Sequence, residues 1–232
     1  MEAMLSLRNV TVQYDGQPRP ALRNLSLDIR SDERVALLGL NGSGKTTLLY
    51  VAVGLLPYQG TVSLDGVLLT AKTERSIRDK TGFLFSLPED QILFPKVVDD
   101  VSFSLERRGM ERGLARLKAL AMLEKLGISH LAESSPHRLS HGQRQRVALA
   151  GTLVADPSLL LFDEPSSALD PVGKRALMAL LQTTPTAMVL ATHDTDFAQA
   201  VCTRFVILEQ GSVIEDTGDR DKMLGYWKKG VN

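Results

Sequence analysis

The sequence predicts an α/β protein whose core is a mainly parallel sheet. The first observation is a set of short, continuous apolar runs, such as Val35–Leu38 and Leu159–Phe162, which are typical of strands buried on both faces. The second is that segments with helical character alternate with these runs, as in βαβ units. The third is that two stretches break the alternation, which predicts an N-terminal antiparallel β subdomain and an inserted α-helical subdomain.

Length and composition exclude several classes of protein. The chain has 232 residues, of which 44% are hydrophobic and one is a cysteine, Cys202. These values exclude collagen-like, disordered and disulfide-stapled proteins and indicate a reducing, cytosolic compartment. The 27 basic residues balance the 27 acidic ones, so no overall field attracts nucleic acid. The longest mainly apolar stretches, Leu48–Pro57 and Val147–Ala155, fall short of the ~20 residues of a membrane span. We therefore expect a single soluble domain over 1–232, without a nucleic-acid partner.

The N-terminal elements are predicted from alternation and turn residues. Apolar and polar residues alternate over 4–29 and change parity near Arg8–Asn9, which predicts two half-buried strands with a bulge. The turn-rich segment Asp15–Pro20 joins them. Gly60–Leu69 is typical of a hairpin around Asp65–Gly66.

The middle of the chain predicts a short strand and two helices. Phe83–Phe85 is a short apolar run. Helical periodicity follows over Val97–Glu106 and Glu111–Leu126. The apolar side of the second helix is expected to carry Leu114, Leu117, Ala121 and Leu126.

Strand and helix alternate again towards the C-terminus. Asp170 and the proline after it are typical of a helix start, and Gln210–Gly211 is typical of a tight hairpin turn. The predicted elements are a strand at Leu159–Phe162, a helix at Pro171–Gln182, a strand at Ala187–Ala191, a helix at Asp194–Val201, strands at Phe205–Leu208 and Ser212–Glu215, and a polar helix from about Asp219.

A glycine-rich loop lies between a predicted strand and a predicted helix. The segment Gly39–Thr46 (GLNGSGKT) follows the strand Val35–Leu38 and precedes the helical residues Thr46–Val53. In that context GxxxxGK[ST] indicates a phosphate loop. The glycines let backbone N–H groups point at phosphates, Lys45 reaches the outer phosphates, and Thr46 offers an oxygen to Mg²⁺. The alternative is a chance glycine-rich turn.

Two carboxylates follow another buried strand. The run Leu159–Phe162 ends in Asp163 and Glu164, which places both at the carboxyl edge of a parallel sheet, where ligands bind in such folds. Asp163 can hold Mg²⁺ through water, and Glu164 can orient or deprotonate an attacking water. His193 follows the next strand at the same edge, where it contacts the terminal phosphate or has a structural role.

A capped helix start precedes these carboxylates. In Leu139–Arg146 (LSHGQRQR), Ser140 is a helix cap and Gln143 completes a capping box. An ordinary capped helix does not explain why Gly142 lies in its first turn.

Together these motifs resemble those of the ATP-binding-cassette (ABC) ATPases over residues 5–217. The family signature, Leu-Ser-Gly-Gly-Gln, is present at Leu139–Gln143 with a histidine in the third place. The Walker B motif corresponds to Leu159–Glu164, the D-loop to Ser167–Asp170, and the switch histidine to His193. The resemblance implies the P-loop NTPase fold of an ABC cassette: antiparallel β subdomain at about 4–30 and 58–70, helical subdomain at about 97–150, and a RecA-like core elsewhere.

The resemblance also implies ATP and Mg²⁺ as ligands. Tyr14, eight residues before Leu22, corresponds to the aromatic residue that stacks on adenine in that family. Thr46 and Asp163 would hold Mg²⁺. The nucleotide-binding residues would be Tyr14, Asn41, Gly42, Ser43, Gly44, Lys45, Thr46 and Thr47.

In that family two cassettes sit head to tail, and each ATP lies between the phosphate loop of one and the signature of the other. The resemblance therefore implies a homodimer in which Glu164 is the general base and His193 senses the γ-phosphate. Asp170 would communicate across the dimer. The residues that would contact the partner's nucleotide are Ser140, His141, Gly142 and Gln143.

One position departs from the family pattern. The family usually has a glutamine just after the strand at Phe83–Phe85, where it helps to bind Mg²⁺ and water, and here that position is Ser86. A serine hydroxyl is shorter and would reach the metal only through a water.

A further segment resembles the energy-coupling-factor (ECF) importers, which take up cobalt, nickel or vitamins. Leu87–Phe94 and Val97–Phe103 are similar to their Asn-Pro-Asp-Asp-Gln-Leu-Phe and Val-Asp-Asp-Val-Ala-Phe segments. The implied partners are a transmembrane coupling subunit and a substrate-binding membrane subunit, and the implied location is the cytoplasmic face of the membrane. The short region after Val213–Glu215 favours the metal-uptake type. The alternatives are a vitamin importer, another ABC transporter, a soluble ABC ATPase, a P-loop kinase or GTPase, and a catalytically silent cassette.

Overall fold

Two sheets and a group of helices make up the protein. The structure, a computed structural model, describes residues 3–167 and 169–230, and within them ten strands and eight α-helices. The strands are β1 (Leu5–Val12), β2 (Leu22–Ile29), β3 (Arg34–Leu38), β4 (Gln59–Leu64), β5 (Val67–Leu68), β6 (Thr81–Leu84), β7 (Leu159–Asp163), β8 (Ala187–Thr192), β9 (Arg204–Glu209) and β10 (Ser212–Thr217). The helices are α1 (Lys45–Ala52), α2 (Glu74–Lys80), α3 (Val97–Arg107), α4 (Arg112–Lys125), α5 (His141–Leu153), α6 (Pro171–Thr183), α7 (Thr195–Val201) and α8 (Arg220–Gly230).

The first sheet is antiparallel, with strand order β2-β1-β4-β5. The predicted bulge is confirmed, because the β1–β2 register shifts between Leu7 and Val10 and Asn9 has φ 50°. The predicted hairpin is confirmed as well, since β4 and β5 pair across Asp65 and Gly66, which have φ 48° and 73°. Two positive φ values are typical of the turn whose twist suits a two-residue hairpin.

The second sheet is mainly parallel, with strand order β10-β9-β3-β8-β7-β6. Every neighbouring pair is parallel except β9 and β10, so the predicted parallel core is confirmed. Strands β7 and β8 are buried along their whole length, which explains their continuous apolar runs. Strand β6 begins two residues before the predicted Phe83–Phe85 and ends at Leu84, because Thr81 and Gly82 pair with β7.

Helix α2 was not predicted. Its sequence, Glu74–Lys80, is largely polar and buries only Ile77 among its residues. A helix with one buried apolar residue carries no periodic signal.

The three helices α3, α4 and α5 pack around an apolar cluster of their own. The predicted apolar side of α4 was wrong in part: Leu114 and Leu117 are 48% and 65% exposed and Ala121 is exposed, whereas Leu126 packs against the cluster. The residues that α4 buries are Ala115, Ala119 and Leu123, which are spaced four apart. Alanine allows close approach of neighbouring helices, so this row of residues faces the cluster, while Leu114 and Leu117 lie outside.

The C-terminal elements follow the prediction closely. Asp170 caps α6 by accepting a hydrogen bond from Gly173 N at 2.6 Å. The closing hairpin of β9 and β10 turns at Gln210 and Gly211, with φ 47° and 81°. Over the described ranges, 3–167 and 169–230, no helix is long and apolar enough to cross a membrane.

Candidate functional site

A cleft of about 620 Å³ lies at the carboxyl edge of the parallel sheet. Strands β3, β8 and β7 are parallel neighbours, so the loops that follow them meet at this edge. The phosphate loop, Gly39–Thr46, follows β3. Asp163 ends β7, and Thr192 ends β8. Chain topology thus gathers residues from three distant segments, as the sequence predicted.

The phosphate loop depends on glycine at two positions. Gly42 and Gly44 have φ 79° and 108°, in the region that favours glycine. A Cβ on Gly44 would lie 2.7 Å from Ala21 O, so the loop packs tightly against the preceding segment. At Gly42 no heavy atom lies within 4 Å of the Cβ position, which leaves space on the cleft side.

Lys45 is buried in the loop that it follows. The residue is only 7% exposed, and its Nζ donates hydrogen bonds to Gly39 O at 2.7 Å and to Leu40 O at 3.2 Å. Burial lowers the pKa of this ammonium, and the carboxylates of Glu164 and Asp163 partly oppose that shift. The cleft therefore contains one buried cation facing two carboxylates.

The donor set of Thr46 and Asp163 fits Mg²⁺. Thr46 Oγ1 donates a hydrogen bond to Asp163 Oδ2 at 2.9 Å, while Oδ1 is buried and has no hydrogen-bond partner. Burial raises the pKa of Asp163, the hydrogen bond from Thr46 lowers it, and the charge of Glu164 raises it further. A free carboxylate oxygen beside a hydroxyl oxygen is the kind of donor set that a hard cation takes.

Two protein oxygens alone do not complete a magnesium site. Among the residues that the structure describes, no group of three or more His, Cys, Asp or Glu could hold a metal ion. Magnesium usually takes its remaining ligands from substrate phosphates and water. The Thr46–Asp163 pair therefore fits a cation that arrives with a phosphorylated ligand.

The side chain of Glu164 is held by Thr192, the last residue of β8, and by His193, which follows it. His193 Nδ1 lies 2.9 Å from Glu164 Oε1, and Thr192 Oγ1 donates to Oε2 at 3.1 Å. Glu164 N donates to Ala191 O, and Glu164 has φ 50°, which is uncommon for a residue with a side chain. This strained backbone and the two side-chain contacts fix the carboxylate at the cleft wall.

Further residues line the cleft. Tyr14 OH lies 3.2 Å from Thr47 Oγ1, which places the tyrosine ring beside the phosphate loop, and Ser86 lines the same cleft. Sequence reasoning missed Arg23, whose Nε is buried without a hydrogen-bond partner. It also missed Gln17, Arg19 and Gln210, since no motif marks these positions.

The signature, Leu139–Gln143, lies apart from the cleft. Its capping box is confirmed, because Gln143 N donates to Ser140 Oγ at 3.2 Å and Ser140 N donates to Gln143 Oε1 at 2.9 Å. His141 contacts Glu89. The predicted site residues that the structure describes outside the cleft lining are Ser140, His141, Gly142, Gln143, Asp170 and His193. His193 adjoins the cleft through its contact with Glu164. Ala168, in the predicted D-loop, lies outside the described residues.

The comparisons with known proteins decide the family. A model described as "ABC transporter" matches residues 22–167. The chain belongs to the ABC transporter family. It carries an ABC ATPase domain and is an ATP-binding subunit of an ABC transporter.

Relatives of this ABC cassette are similar along most of its length. The chain is 39% identical over 92% of its length to an ABC transporter ATP-binding protein of Brucella suis, of which it covers 89%. It is 36% identical over 93% of its length to the energy-coupling factor transporter ATP-binding protein EcfA1 of Levilactobacillus brevis, of which it covers 78%. The predicted resemblance to ECF-type ATPases is thereby confirmed.

Two solved structures share the fold. A post-hydrolysis dimer of the ATP-binding cassette MJ0796, bound to ADP and Pi, matches with a TM-score of 0.85 and 31% identity over 92% of this chain and 98% of that one. CbiO1 of Clostridium perfringens, part of the ABC transporter complex cbiONQ, matches with a TM-score of 0.82 and 29% identity. The match covers 100% of this chain and 93% of that one. The predicted ABC cassette fold is confirmed.

Proposed function

We propose that this ABC cassette is the ATP-hydrolysing subunit of an ECF-type importer that takes up a transition metal ion such as cobalt or nickel. The observation that carries the proposal is the likeness to CbiO1, which extends over 100% of this chain. The identity to EcfA1 over 93% of the chain supports the same type of importer. The alternatives are an ECF importer of a vitamin and an ABC transporter of another group.

The residues of the cleft support nucleotide binding in the manner of a phosphate loop. Backbone N–H groups of Asn41–Gly44 would bind the phosphates, and Lys45 would exchange its bonds to Gly39 O and Leu40 O for phosphate oxygens. Tyr14 would stack on adenine, and Thr47, next to it, would complete the pocket. Thr46 and Asp163 would hold Mg²⁺, which neutralises phosphate charge when it is bound.

Glu164 is proposed as the residue that orients and deprotonates the attacking water. Hydrogen-bonding contacts with the side chains of Thr192 and His193 fix the orientation of its carboxylate. A general base positioned in this way typically contributes 10²–10⁴-fold to the rate. His193, whose side chain is 61% exposed, would contact the γ-phosphate and report its loss.

The second half of each site is proposed to come from a second copy of the chain. Ser140, His141, Gly142 and Gln143 form a capped helix start away from their own cleft. The positive end of a helix suits an anion, so these residues would contact the γ-phosphate of the partner's nucleotide. Asp170 would communicate between the two sites. Hydrolysis would then remove the charge that holds the two cassettes together.

The membrane partners are proposed to be a transmembrane coupling subunit and a substrate-binding membrane subunit, with no nucleic acid involved. This chain would be bound peripherally at the cytoplasmic face of the membrane. The segments Leu87–Phe94 and Val97–Phe103 support a contact with a coupling subunit, because they present Leu87, Leu93 and Phe103 at the surface. The surfaces of Leu87 and Leu93 are 54% and 77% exposed.

The experiment that tests the proposal has two steps. The tagged chain is first purified from native membranes in mild detergent, and small hydrophobic proteins that copurify are identified by mass spectrometry. Cells that carry Glu164→Gln are then compared with wild-type cells for uptake of radioactive cobalt, nickel and vitamins. Copurification of membrane subunits and loss of metal uptake are expected. Loss of vitamin uptake alone would favour the alternative substrate, and binding to ribosomes or DNA without membrane subunits would contradict the transporter.

A further inference from the structure

The segment that follows β6 is attached to the start of α5 by an acidic side chain. Glu89 Oε1 accepts a hydrogen bond from Arg144 Nε at 2.8 Å and lies 3.3 Å from His141 Nδ1. Arg144 Nη1 also donates to Leu139 O at 2.7 Å. One guanidinium therefore joins Glu89 to the residue before the helix cap Ser140, and it fixes the direction in which α5 begins.

A second contact attaches the same segment further along α5. Gln91 Nε2 donates to Ala148 O and to Thr152 Oγ1, both at 3.0 Å. Gln91 Oε1 accepts from Phe85 N at 3.3 Å. The amide of Gln91 thus joins the end of β6 to the middle of the helix, whereas Glu89 acts only at its first turn.

The outer side of the segment is apolar and exposed. Leu87 and Leu93, on either side of the Pro88–Asp90 turn, are 54% and 77% exposed. The inner side holds α5 through Glu89 and Gln91. A force on the outer side would consequently reach the first turn of α5 through a hydrogen-bonded path that does not include Ser86.

We propose that Glu89 is a positioning residue for the signature, Leu139–Gln143: by holding Arg144 and His141, it sets the orientation in which the first turn of α5 meets a nucleotide bound by the partner cassette. This inference rests on the proposed function, since it requires an ATP-bound dimer. Glu89 does not line the cleft of its own chain. Its effect is on closure of the dimer, not on nucleotide binding by the single chain.

The test uses the full-length chain with Glu164→Gln, which is expected to bind ATP without hydrolysing it. In this parent, Glu89→Ala should raise the chain concentration for half-maximal ATP-dependent dimerisation about five-fold, the effect expected when each of the two cassettes loses one exposed ion pair. Sedimentation velocity measures the dimer, and a fluorescent ATP analogue measures binding by the monomer. Monomer binding should stay within error of the parent. Because the Glu89–Arg144 pair lies within one chain, the thermal unfolding midpoint should fall by about 2–4 °C at most.

Glu133→Ala is the matched control. Glu133 is an exposed carboxylate in the same helical region, and its two ion-pair partners, Lys96 and Arg116, lie outside α5. Its loss should leave dimerisation unchanged. The triple variant Glu89→Ala, His141→Ala, Arg144→Ala should dimerise no worse than the double variant His141→Ala, Arg144→Ala, because Glu89 acts through these two residues.

The outcomes separate the inference from the proposal beneath it. A parent that dimerises with ATP, together with a Glu89→Ala variant that matches Glu133→Ala, would overturn the positioning role alone. A fall in monomer binding equal to the loss of dimerisation would also overturn it. A parent that binds no nucleotide, or that binds it and stays monomeric, would overturn the proposed function and this inference together.

Discussion

The phosphate loop and the signature are both glycine-containing helix starts, yet their polar atoms are used differently. At the phosphate loop, the hydroxyl of Ser43 and Oδ1 of Asp163 are buried without a hydrogen-bond partner. Lys45 is buried and bonded to its own loop. In the signature, Ser140 and Gln143 satisfy each other's backbone N–H groups at an exposed helix start.

This difference indicates how each region is stabilised. Buried polar atoms without hydrogen-bond partners lower the free energy of unfolding. The phosphate loop region is therefore less stable by itself than it would be with a phosphorylated ligand bound. The capping box stabilises α5 by itself, and the N–H groups of His141 and Gly142 have no acceptor within the helix. The first region suits a ligand held by its own chain, and the second suits one presented by another molecule.

The largest expected effect comes from mixing two inactive variants. Lys45→Ala removes the buried cation of the phosphate loop, and Gly142→Asp places a carboxylate in the signature that repels phosphate. Either homodimer should lose ATPase activity at least about 100-fold, because each site lacks one half. A mixed dimer keeps one site with both halves intact. An equimolar mixture should therefore recover about a quarter of the wild-type rate, measured as released phosphate.

The design separates loss of function from loss of fold. An acidic residue in the first turn favours the helix dipole, so Gly142→Asp should not weaken α5, and circular dichroism checks this. Activity of the mixture that stays at the level of the two inactive variants would contradict the division of each site between two chains. Recovery that is independent of total chain concentration would contradict it too, since mixed dimers must form by association.

The second prediction tests whether the buried carboxylate of Asp163 lowers the free energy of unfolding. Asp163→Asn should abolish hydrolysis and raise the free energy of unfolding at pH 7 by about 1 kcal/mol, or about 2–4 °C in the unfolding midpoint. The reason is that burial raises the pKa of Asp163 above its ordinary value, so ionisation destabilises the folded chain. Since the folded pKa is raised, the penalty is present above that pKa and disappears as the pH falls towards 3.8. The advantage of the variant should shrink over that window.

Asp194→Asn is the matched control, with the opposite sign. Burial acts to raise the pKa of Asp194, but hydrogen bonds from Lys174 and Phe197 N outweigh it and the pKa is lowered. The charged form therefore stabilises the fold above the unfolded pKa, and this contribution is lost as the pH falls. Asp194→Asn should lower the unfolding midpoint at pH 7. Equal shifts in both variants, measured by calorimetry, would show that burial of Asp163 is not the cause.

Most of the correct predictions about the phosphate loop and the signature came from local sequence patterns. The phosphate loop, the strand before Asp163 and the capping box of Ser140 each depend on residues within a few positions of one another, and propensity and capping act over that range. The meeting of the loops after these strands at the carboxyl edge followed from the parallel topology. Both kinds of information are present in a single sequence.

The features that the sequence did not predict depend on contacts between residues that are distant in the chain. Glu89 and Arg144 are 55 positions apart, and Glu164 and Thr192 are 28 apart, so no spacing pattern indicates either contact. Arg23 lines the cleft without any motif. The face of α4 was predicted wrongly in part because Ala115 and Ala119, not Leu114 and Leu117, approach the neighbouring helices, and hydrophobicity alone ranks leucine above alanine.

The smallest expected effect concerns Ser86, which lies in the cleft of the phosphate loop at the beginning of the segment that leads to the signature. A serine hydroxyl is too short to reach a metal at Thr46 and Asp163 without a water, whereas a glutamine side chain is longer. Ser86→Gln should therefore raise the steady-state ATPase rate by about two- to three-fold, which corresponds to the lower end of the ~0.5–1.5 kcal/mol that one added hydrogen bond contributes. Ser86→Ala should change the rate by less than that. If Ser86→Gln instead lowered the rate while Ser86→Ala did not, the serine would occupy a space that glutamine cannot share with the nucleotide. The attachment of the segment to α5 by Glu89 and Gln91 would then be its main connection between the two regions.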